Sequence, residues 1–135
     1  MAAPINGIDH VVINAADLEA TCAFYNRLFG ITTHGEYKTK DGKVLVRQVA
    51  IGGAVLSIHQ IGNGVELVAR HPAVGGGDIC LRWDDTIQSA IDLLTRNGIK
   101  IIEGPARRRT ADGKPSKSVY FRDLDENLME LMAAD

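Results

Sequence analysis

A carboxylate stands among apolar residues near the end of the chain, where a buried charge would need a partner. Glu130 lies two residues from both Leu128 and Met132. Side chains two residues apart share one face of a β-strand, so these three residues are expected on the core-facing side. A carboxylate without a partner there would be costly to bury in its charged form, or it would stay protonated. The sequence therefore predicts a cation, a metal ion or a water-lined cavity opposite Glu130.

Two histidines could complete a metal site with Glu130. His10 lies in the β-branched segment 8–13, and His59 follows Ser57 by two residues and so shares its strand face. Two imidazoles and one carboxylate are a suitable ligand set for an exchangeable divalent metal ion. Such a set leaves coordination positions open for substrate oxygens or water. We predict that His10, His59 and Glu130 bind Fe, Mn, Ni or Zn. His59 could instead line a cavity and contact substrate.

Two further features could contact substrate. Tyr120, on the strand before the last turn, could relay a proton through its hydroxyl or could pack in the core. The basic run at residues 107–109 could clamp an anion, or it could be a solvated edge that discourages strand pairing. We predict catalytic roles for Glu130 and Tyr120.

The composition limits the classes of partner. The chain has 135 residues, 15 of them basic and 17 acidic, so no extended nucleic-acid or anionic-membrane surface is implied. Cys22 and Cys80 are isolated and are expected to be small buried hydrophobes rather than a disulfide or zinc framework. No secretory signal or apolar run of about 20 residues occurs, which favours a cytoplasmic protein.

The elements that must position these residues follow one order twice. The first half predicts a strand at 8–13, a helix capped by Asp17 and ended by Gly30, and strands at 32–39, 44–51 and 54–61. The second half predicts a strand at 78–82, a helix capped by Asp85 or Thr86, and, after the segment 99–102, a hairpin (106–111, 117–121) and a final strand. Both halves are therefore βαβββ.

An internal duplication explains this order. Adding 68 carries Gly30 to Gly98, and the same shift carries His10 to Asp78. Ser57 corresponds to Glu130 only at a separation of 73, because the second hairpin is longer. We predict an α+β fold in one domain, residues 1–135, built from modules 5–62 and 77–133.

These residues resemble the vicinal oxygen chelate superfamily, the glyoxalase, bleomycin-resistance and extradiol-dioxygenase group. The resemblance covers nearly the whole chain, and a branch of small glyoxalase-domain proteins looks most similar. The superfamily resemblance is carried by the segments 8–12 (IDHVV), 24–25 (FY), 28–30 (LFG), 97–98 (NG) and 120–131 (YFRDLDENLMEL). The similarity to the branch lies in 57–59 (SIH), 69–72, 78–81 and the hairpin 104–110.

The resemblance implies two βαβββ modules in a curved mixed sheet around a cavity that holds a divalent metal. Its ligand positions correspond to His10, Ser57, Asp78 and Glu130. Ser57 and Asp78 depart from the lactoylglutathione lyase pattern, which argues against that particular activity. Both are expected to bind substrate, although Asp78 could also be a fourth ligand or orient an imidazole. Arg109 is expected to clamp a substrate anion, and a homodimer is implied.

We therefore expect a metal-dependent enzyme that acts on a small oxygen-chelating molecule by lyase, isomerase or dioxygenase chemistry. Isomerase or lyase chemistry is favoured over ring cleavage because the chain is short. The alternative is a metal-free protein that sequesters an antibiotic, as bleomycin-resistance proteins do. The low aromatic content, 5%, argues against that alternative.

Overall fold

The chain folds into two compact units with the same order of elements. The computed structural model describes residues 2–134, and the units span Met1–Ala73 and Val74–Asp135. The first contains β1 (Val11–Ala15), α1 (Leu18–Phe29), β2 (Thr33–Lys38), β3 (Val44–Ile51) and β4 (Ala54–Gln60). The second contains β5 (Asp78–Trp83), α2 (Ile87–Arg96), β6 (Glu103–Arg109), β7 (Pro115–Arg122) and β8 (Leu128–Ala133). The predicted α+β class and the repeated βαβββ order are confirmed.

Each unit has one four-stranded mixed sheet. The strand orders are β1-β4-β3-β2 and β5-β8-β7-β6. In each sheet the first strand of the unit pairs in parallel with the last, and the other pairs are antiparallel. The last strand of each unit is therefore a central strand, held on both sides.

The helix of each unit covers one face of its own sheet. In the first unit, Arg47 of β3 forms an ion pair with Glu19 of α1 at 2.7 Å. In the second unit, Trp83 of β5 donates to the Ser89 hydroxyl of α2 at 2.8 Å. These contacts identify the covered faces, and alternation along each strand assigns the remaining residues to the covered face or to the helix-free face.

Capping residues set the helix boundaries. The Asp17 carboxylate accepts a hydrogen bond from the Ala20 amide, and Gly30 ends α1 in the left-handed region at φ 68°. The N-cap of α2 is Thr86, not Asp85, and its side chain accepts from the Ser89 amide. Side-chain acceptors of this kind satisfy amides that the first turn leaves free.

Apolar residues fill the space between each sheet and its helix. In the first unit the fully or nearly fully buried side chains include Tyr25, Val49 and Ile58. In the second unit they include Leu94, Phe121 and Leu131. No helix within residues 2–134 is long and apolar enough to cross a membrane.

Some strand boundaries differ from the sequence predictions, and a segment to which no element was assigned forms none. The first strand begins at Val11 rather than at residue 8, so that His10 precedes it. The arm predicted at 106–111 is β6, at Glu103–Arg109. Residues 99–102 form no helix or strand. The Ile102 amide donates a hydrogen bond to the Tyr120 carbonyl.

The turn before β8 is fixed by two buried polar side chains. Asp123 accepts hydrogen bonds from the backbone amides of Asp125 and Asn127 and from the Asn127 side-chain amide, at 2.9–3.0 Å. The Asn127 side-chain oxygen accepts from the Gly77 amide at 2.7 Å, just before β5 begins. The turn thereby ties the start of β8 to the start of β5, three residues before Glu130.

Candidate functional site

Strand register brings several candidate residues of the second unit to the helix-free face. Glu130 lies directly opposite Cys80 on β5 and Tyr120 on β7. Paired residues point to the same side of a sheet, and Trp83 and Ala133, which also pair, lie on the covered side. Glu130 therefore projects away from α2. Asp78, two residues before Cys80, shares the Glu130 face.

Glu130 is half-buried and has two polar neighbours. The Ser118 hydroxyl donates to its Oε2 at 2.6 Å. Cys80 hydrogen-bonds to the same side chain and lies close enough for their charges to interact. These two neighbours are a hydroxyl and a thiol, so the cation, metal ion or water-lined cavity expected opposite Glu130 stays a prediction. Ser118 was missed because its face depends on the register of the hairpin, which the sequence does not fix.

Arg108, not Arg109, accompanies Tyr120. The Nε of Arg108 donates to the Tyr120 hydroxyl at 2.8 Å, and its guanidinium lies 5.4 Å from the ring centroid. This hydrogen bond raises the pKa of the Arg108 guanidinium. Arg109 alternates to the opposite side of β6 and donates to the Gly113 carbonyl at 3.0 Å. Which arginine of the run meets Tyr120 depends on the register of β6 with β7, and the predicted clamping of an anion by Arg109 stays a prediction.

His10 lies next to the first strand and is partly open to solvent. Its ring Nδ1 is 2.8 Å from an Asp9 carboxylate oxygen, and 43% of its side chain is exposed. His10 is therefore not a buried core histidine hydrogen-bonded to backbone within the described residues. An exposed imidazole held by a carboxylate can bind a ligand through its second nitrogen.

Ser57 and His59 lie on the helix-free face of the first sheet. Arg47, which reaches α1, pairs with Ile58, so the residues on either side of Ile58 point the other way. Ser57 is buried, and its hydroxyl accepts from the Gln48 side chain at 3.0 Å. His59 is half-buried and lies opposite Asn14 of β1.

The environment of His59 keeps its imidazole neutral. Burial lowers the pKa of His59 from its usual 6.5, and electrostatic repulsion from the His10 imidazole lowers it further. A neutral imidazole can bind a metal or accept a proton at neutral pH without first losing a proton. Because the unfolded chain takes up this proton first, the contribution of His59 to stability is lost as the pH falls below about 6.5.

We predict that His10→Gln raises the pKa of His59, because the repulsion between the two imidazoles disappears. The pKa should stay below 6.5, since burial remains the larger cause. The titration of the His59 ring protons by NMR measures this directly. His34→Gln, an exposed change in the same unit, should leave it unaltered. An unchanged His59 midpoint in His10→Gln would show that the two rings do not interact.

The two cysteines differ from the prediction of burial. Cys22 is half-buried and Cys80 is exposed, so the prediction was wrong for Cys80. Both thiols are nonetheless partly desolvated, which raises their pKa to about 11. The Glu130 carboxylate adds to this shift at Cys80. Neither thiol is therefore a nucleophilic thiolate at neutral pH.

The donor chemistry of the predicted metal ligands suits a divalent ion. His59 is neutral at pH 7 and Glu130 is a half-buried carboxylate, which are ligand types that Fe, Mn, Ni and Zn accept. His10 and His59 belong to the first unit, and Glu130 belongs to the second. Within either unit, no three His, Cys, Asp or Glu side chains among residues 2–134 are grouped as a metal site.

Comparison with known proteins identifies the family. The model of the Glyoxalase/Bleomycin resistance protein/Dioxygenase superfamily matches residues 7–131. Glyoxalase domain-containing protein RDO1 of Mycosarcoma maydis is 34% identical over 94% of this chain and 68% of that protein. Virulence protein STM3117 of Salmonella typhimurium is 32% identical over 94% of this chain and 83% of that protein. Integron cassette protein VCH_CASS1 of V. cholerae has a structure that superposes over the full length of both chains, with a TM-score of 0.85 and 30% identity.

Two other matches differ in what their names say they do. An ethylmalonyl-CoA/methylmalonyl-CoA epimerase of Cereibacter sphaeroides is 28% identical over 94% of this chain and 97% of that protein. TnmS3, an antibiotic-binding protein of Streptomyces, shares the fold at 21% identity and a TM-score of 0.72, over 99% of this chain and 100% of that chain. Proteins that resemble this chain in sequence or in fold thus include an epimerase and an antibiotic-binding protein. The match of the family model over residues 7–131 shows that this chain belongs to the glyoxalase/bleomycin resistance protein/dioxygenase superfamily.

Proposed function

We propose that this protein is a divalent-metal-dependent enzyme that acts on a small, oxygen-chelating molecule by lyase or isomerase chemistry, or by dioxygenase chemistry. The observation that carries the proposal is the setting of Glu130. It is a half-buried carboxylate on the helix-free face, with the Ser118 hydroxyl at 2.6 Å and Tyr120 directly opposite. Burial of a charge at this position is costly for stability, so a functional reason for keeping it is expected.

His10, His59 and Glu130 would hold the metal. A bound divalent ion acts as a Lewis acid that stabilises negative charge on a substrate oxygen. Glu130 would also accept or return a proton at its carboxylate, with Ser118 fixing the orientation of Oε2. Tyr120 would donate a proton through its hydroxyl, which Arg108 holds in place through the hydrogen bond from its Nε.

Asp78, Arg109 and Ser57 are the proposed substrate-binding residues. Asp78 is exposed and lies on the same face of the sheet as Glu130, which supports a role in substrate binding. The Ser57 hydroxyl already accepts from Gln48, which leaves its own hydrogen free to be donated. Arg109 keeps unused N–H groups beyond its bond to Gly113. We further propose that modules 5–62 and 77–133 act as one domain, in a cytoplasmic homodimer.

The proposal predicts about one transition-metal ion per chain in the purified, untagged protein. Glu130→Gln should lower metal affinity at least about tenfold, because an amide is a much weaker ligand than a carboxylate. Elemental analysis and metal titration measure both quantities. Glu126→Gln, an exposed change in the turn of the same unit, is the matched control and should bind metal like the wild type.

The histidine variants separate the roles left open. His10→Ala and His59→Ala should each lose metal if both are ligands. If His59→Ala keeps its metal, His59 contacts substrate instead. Absence of metal in the wild type, even after reconstitution with Fe, Mn, Ni and Zn, would overturn the enzyme proposal. It would support the metal-free antibiotic-binding alternative, which the unusual Ser57 at a ligand position favours.

A further inference from the structure

A small pocket lies where β1 and β4 end. The two strands are parallel, so their carboxyl ends meet at one edge of the first sheet, and the chain leaves β4 there into the loop 61–72. Asn14 and His59, which pair across the strands, line the pocket together with this loop. Its volume is about 120 Å³, which is the share of about four water molecules in the liquid. The pocket therefore has room for one group of a ligand rather than for a whole drug-sized molecule.

Two of the four polar side chains around the pocket are used by the protein itself. The Gln60 side chain accepts a hydrogen bond from the Leu18 amide of α1 at 2.8 Å and donates to a backbone carbonyl just before that helix at 2.7 Å. The Asn63 side chain donates to the Leu45 carbonyl at 3.1 Å and accepts from the Val65 amide at 2.9 Å. These bonds hold the end of β4 and the start of the loop in place.

The other two polar side chains, Asn14 and His59, keep their hydrogen-bonding groups for a ligand. No hydrogen bond within residues 2–134 involves either side chain. Both are half-buried on the helix-free face of the first sheet. An Asn side chain offers two N–H donors and a carbonyl acceptor, and an imidazole offers two ring nitrogens. A metal ion at one nitrogen of His59 would leave the other nitrogen for the pocket.

The remaining lining is apolar and uncharged. Val65, Val68 and Pro72 of the loop contribute to it, and the two valines are 37% and 43% exposed. No Lys, Arg, Asp or Glu among residues 2–134 lines the pocket. A charged group would lose water there without gaining an ion pair. An uncharged polar group attached to a few carbons would satisfy Asn14 and cover the valines.

We propose that this pocket binds a short, uncharged carboxamide group of the substrate, and that Asn14 selects it. The Asn14 side chain can donate to the carbonyl oxygen of such a group while it accepts from its N–H. That the ligand is the substrate rests on the proposed function, in which Ser57 binds substrate. Ser57 lies two residues before His59 on the same strand face, about 7 Å away. The substrate would thus have its carboxamide about that far from the atoms that Ser57 contacts.

Acetamide and acetate test the pocket, because they have nearly the same shape and differ in charge. Acetamide titrated into the full chain at neutral pH and constant ionic strength should give saturable NMR shifts centred on the amides of Asn14, His59 and the loop. So small a molecule should bind with a dissociation constant on the order of millimolar. Acetate should bind at least about tenfold more weakly. Shifts centred elsewhere, or equal affinity for the two molecules, would overturn the inference.

Asn14→Leu keeps the size of the side chain and removes its polar groups. It should weaken acetamide binding at least about fivefold, the loss expected for one or two hydrogen bonds. Asn6→Leu, an exposed change in the same unit, is the matched control and should bind within about twofold of the wild type. Unchanged affinity in Asn14→Leu would show that Asn14 does not select the ligand. If this variant does not fold, the shift map of the wild type still decides.

Removal of metal separates this inference from the proposed function. Protein treated with a chelator should still bind acetamide, because Asn14 and the loop do not depend on a metal ion. Loss of binding together with the metal would place acetamide on the metal and overturn the pocket. A wild type that holds no metal but binds acetamide beside Asn14 keeps the pocket as a site for an uncharged group, while the metal-dependent chemistry fails.

Discussion

Asp123→Ala is expected to lower the free energy of unfolding by about 2–4 kcal/mol, because one buried side chain serves three hydrogen bonds. Its carboxylate accepts from the amides of Asp125 and Asn127 and from the Asn127 side chain. The substitution leaves these donors unpaired in a buried turn. It also loosens Asn127, which holds the Gly77 amide. Urea unfolding measures the loss.

Leu124→Ala is the matched control for this turn. Leu124 is 50% exposed, so its truncation should cost less than about 1 kcal/mol. A second readout follows from the position of the turn at the start of β8. Asp123→Ala should broaden or shift the NMR signals of Glu130 in the protein that remains folded. Equal stability of the Asp123 and Leu124 variants would show that the turn does not depend on this carboxylate.

Phe121→Ala is expected to cost about 3–5 kcal/mol, the largest effect of any substitution considered. Phe121 is completely buried on the covered face of the second sheet, where β7 packs against α2. Truncation removes apolar area from the core and leaves a cavity that a fixed sheet cannot close. The midpoint of urea unfolding should fall without a change in the slope.

Phe29→Ala tests whether burial, rather than loss of an aromatic ring, explains that effect. Phe29 is half-buried at the end of α1, where the surroundings can relax after truncation. Its loss should cost clearly less than that of Phe121. Comparable losses would contradict the assignment of Phe121 to the centre of its core.

Much of the fold could be predicted because local signals agreed. Asp17 and Gly30 marked both ends of α1, and each has the cap geometry predicted for it. The duplication also predicted that Ser57 corresponds to Glu130, and the strand pairing agrees with this. Ser57 lies opposite Val12, and Glu130 lies opposite Cys80, so Ser57 and Glu130 occupy equivalent positions in the two modules.

The site could be predicted only in part, since its neighbours depend on register. A one-residue change in hairpin register moves every side chain to the other face. The β6–β7 pairing contains an irregularity between Glu103 and Ala106, which no local signal showed. Arg108 and Ser118 therefore escaped the sequence reading. Cys80 escaped it too, because an apolar pattern does not tell which face a helix covers.

The equivalence of Ser57 and Glu130 suggests how the two halves of the chain diverged. After a duplication, each copy begins with the same residue at this central position of the sheet. One copy now has a half-buried carboxylate, and the other has a small hydroxyl that accepts a hydrogen bond from Gln48. A charge in the first copy would again be costly to bury. The first module thus avoids the cost of burying a charge at this position, whereas the second bears that cost at Glu130.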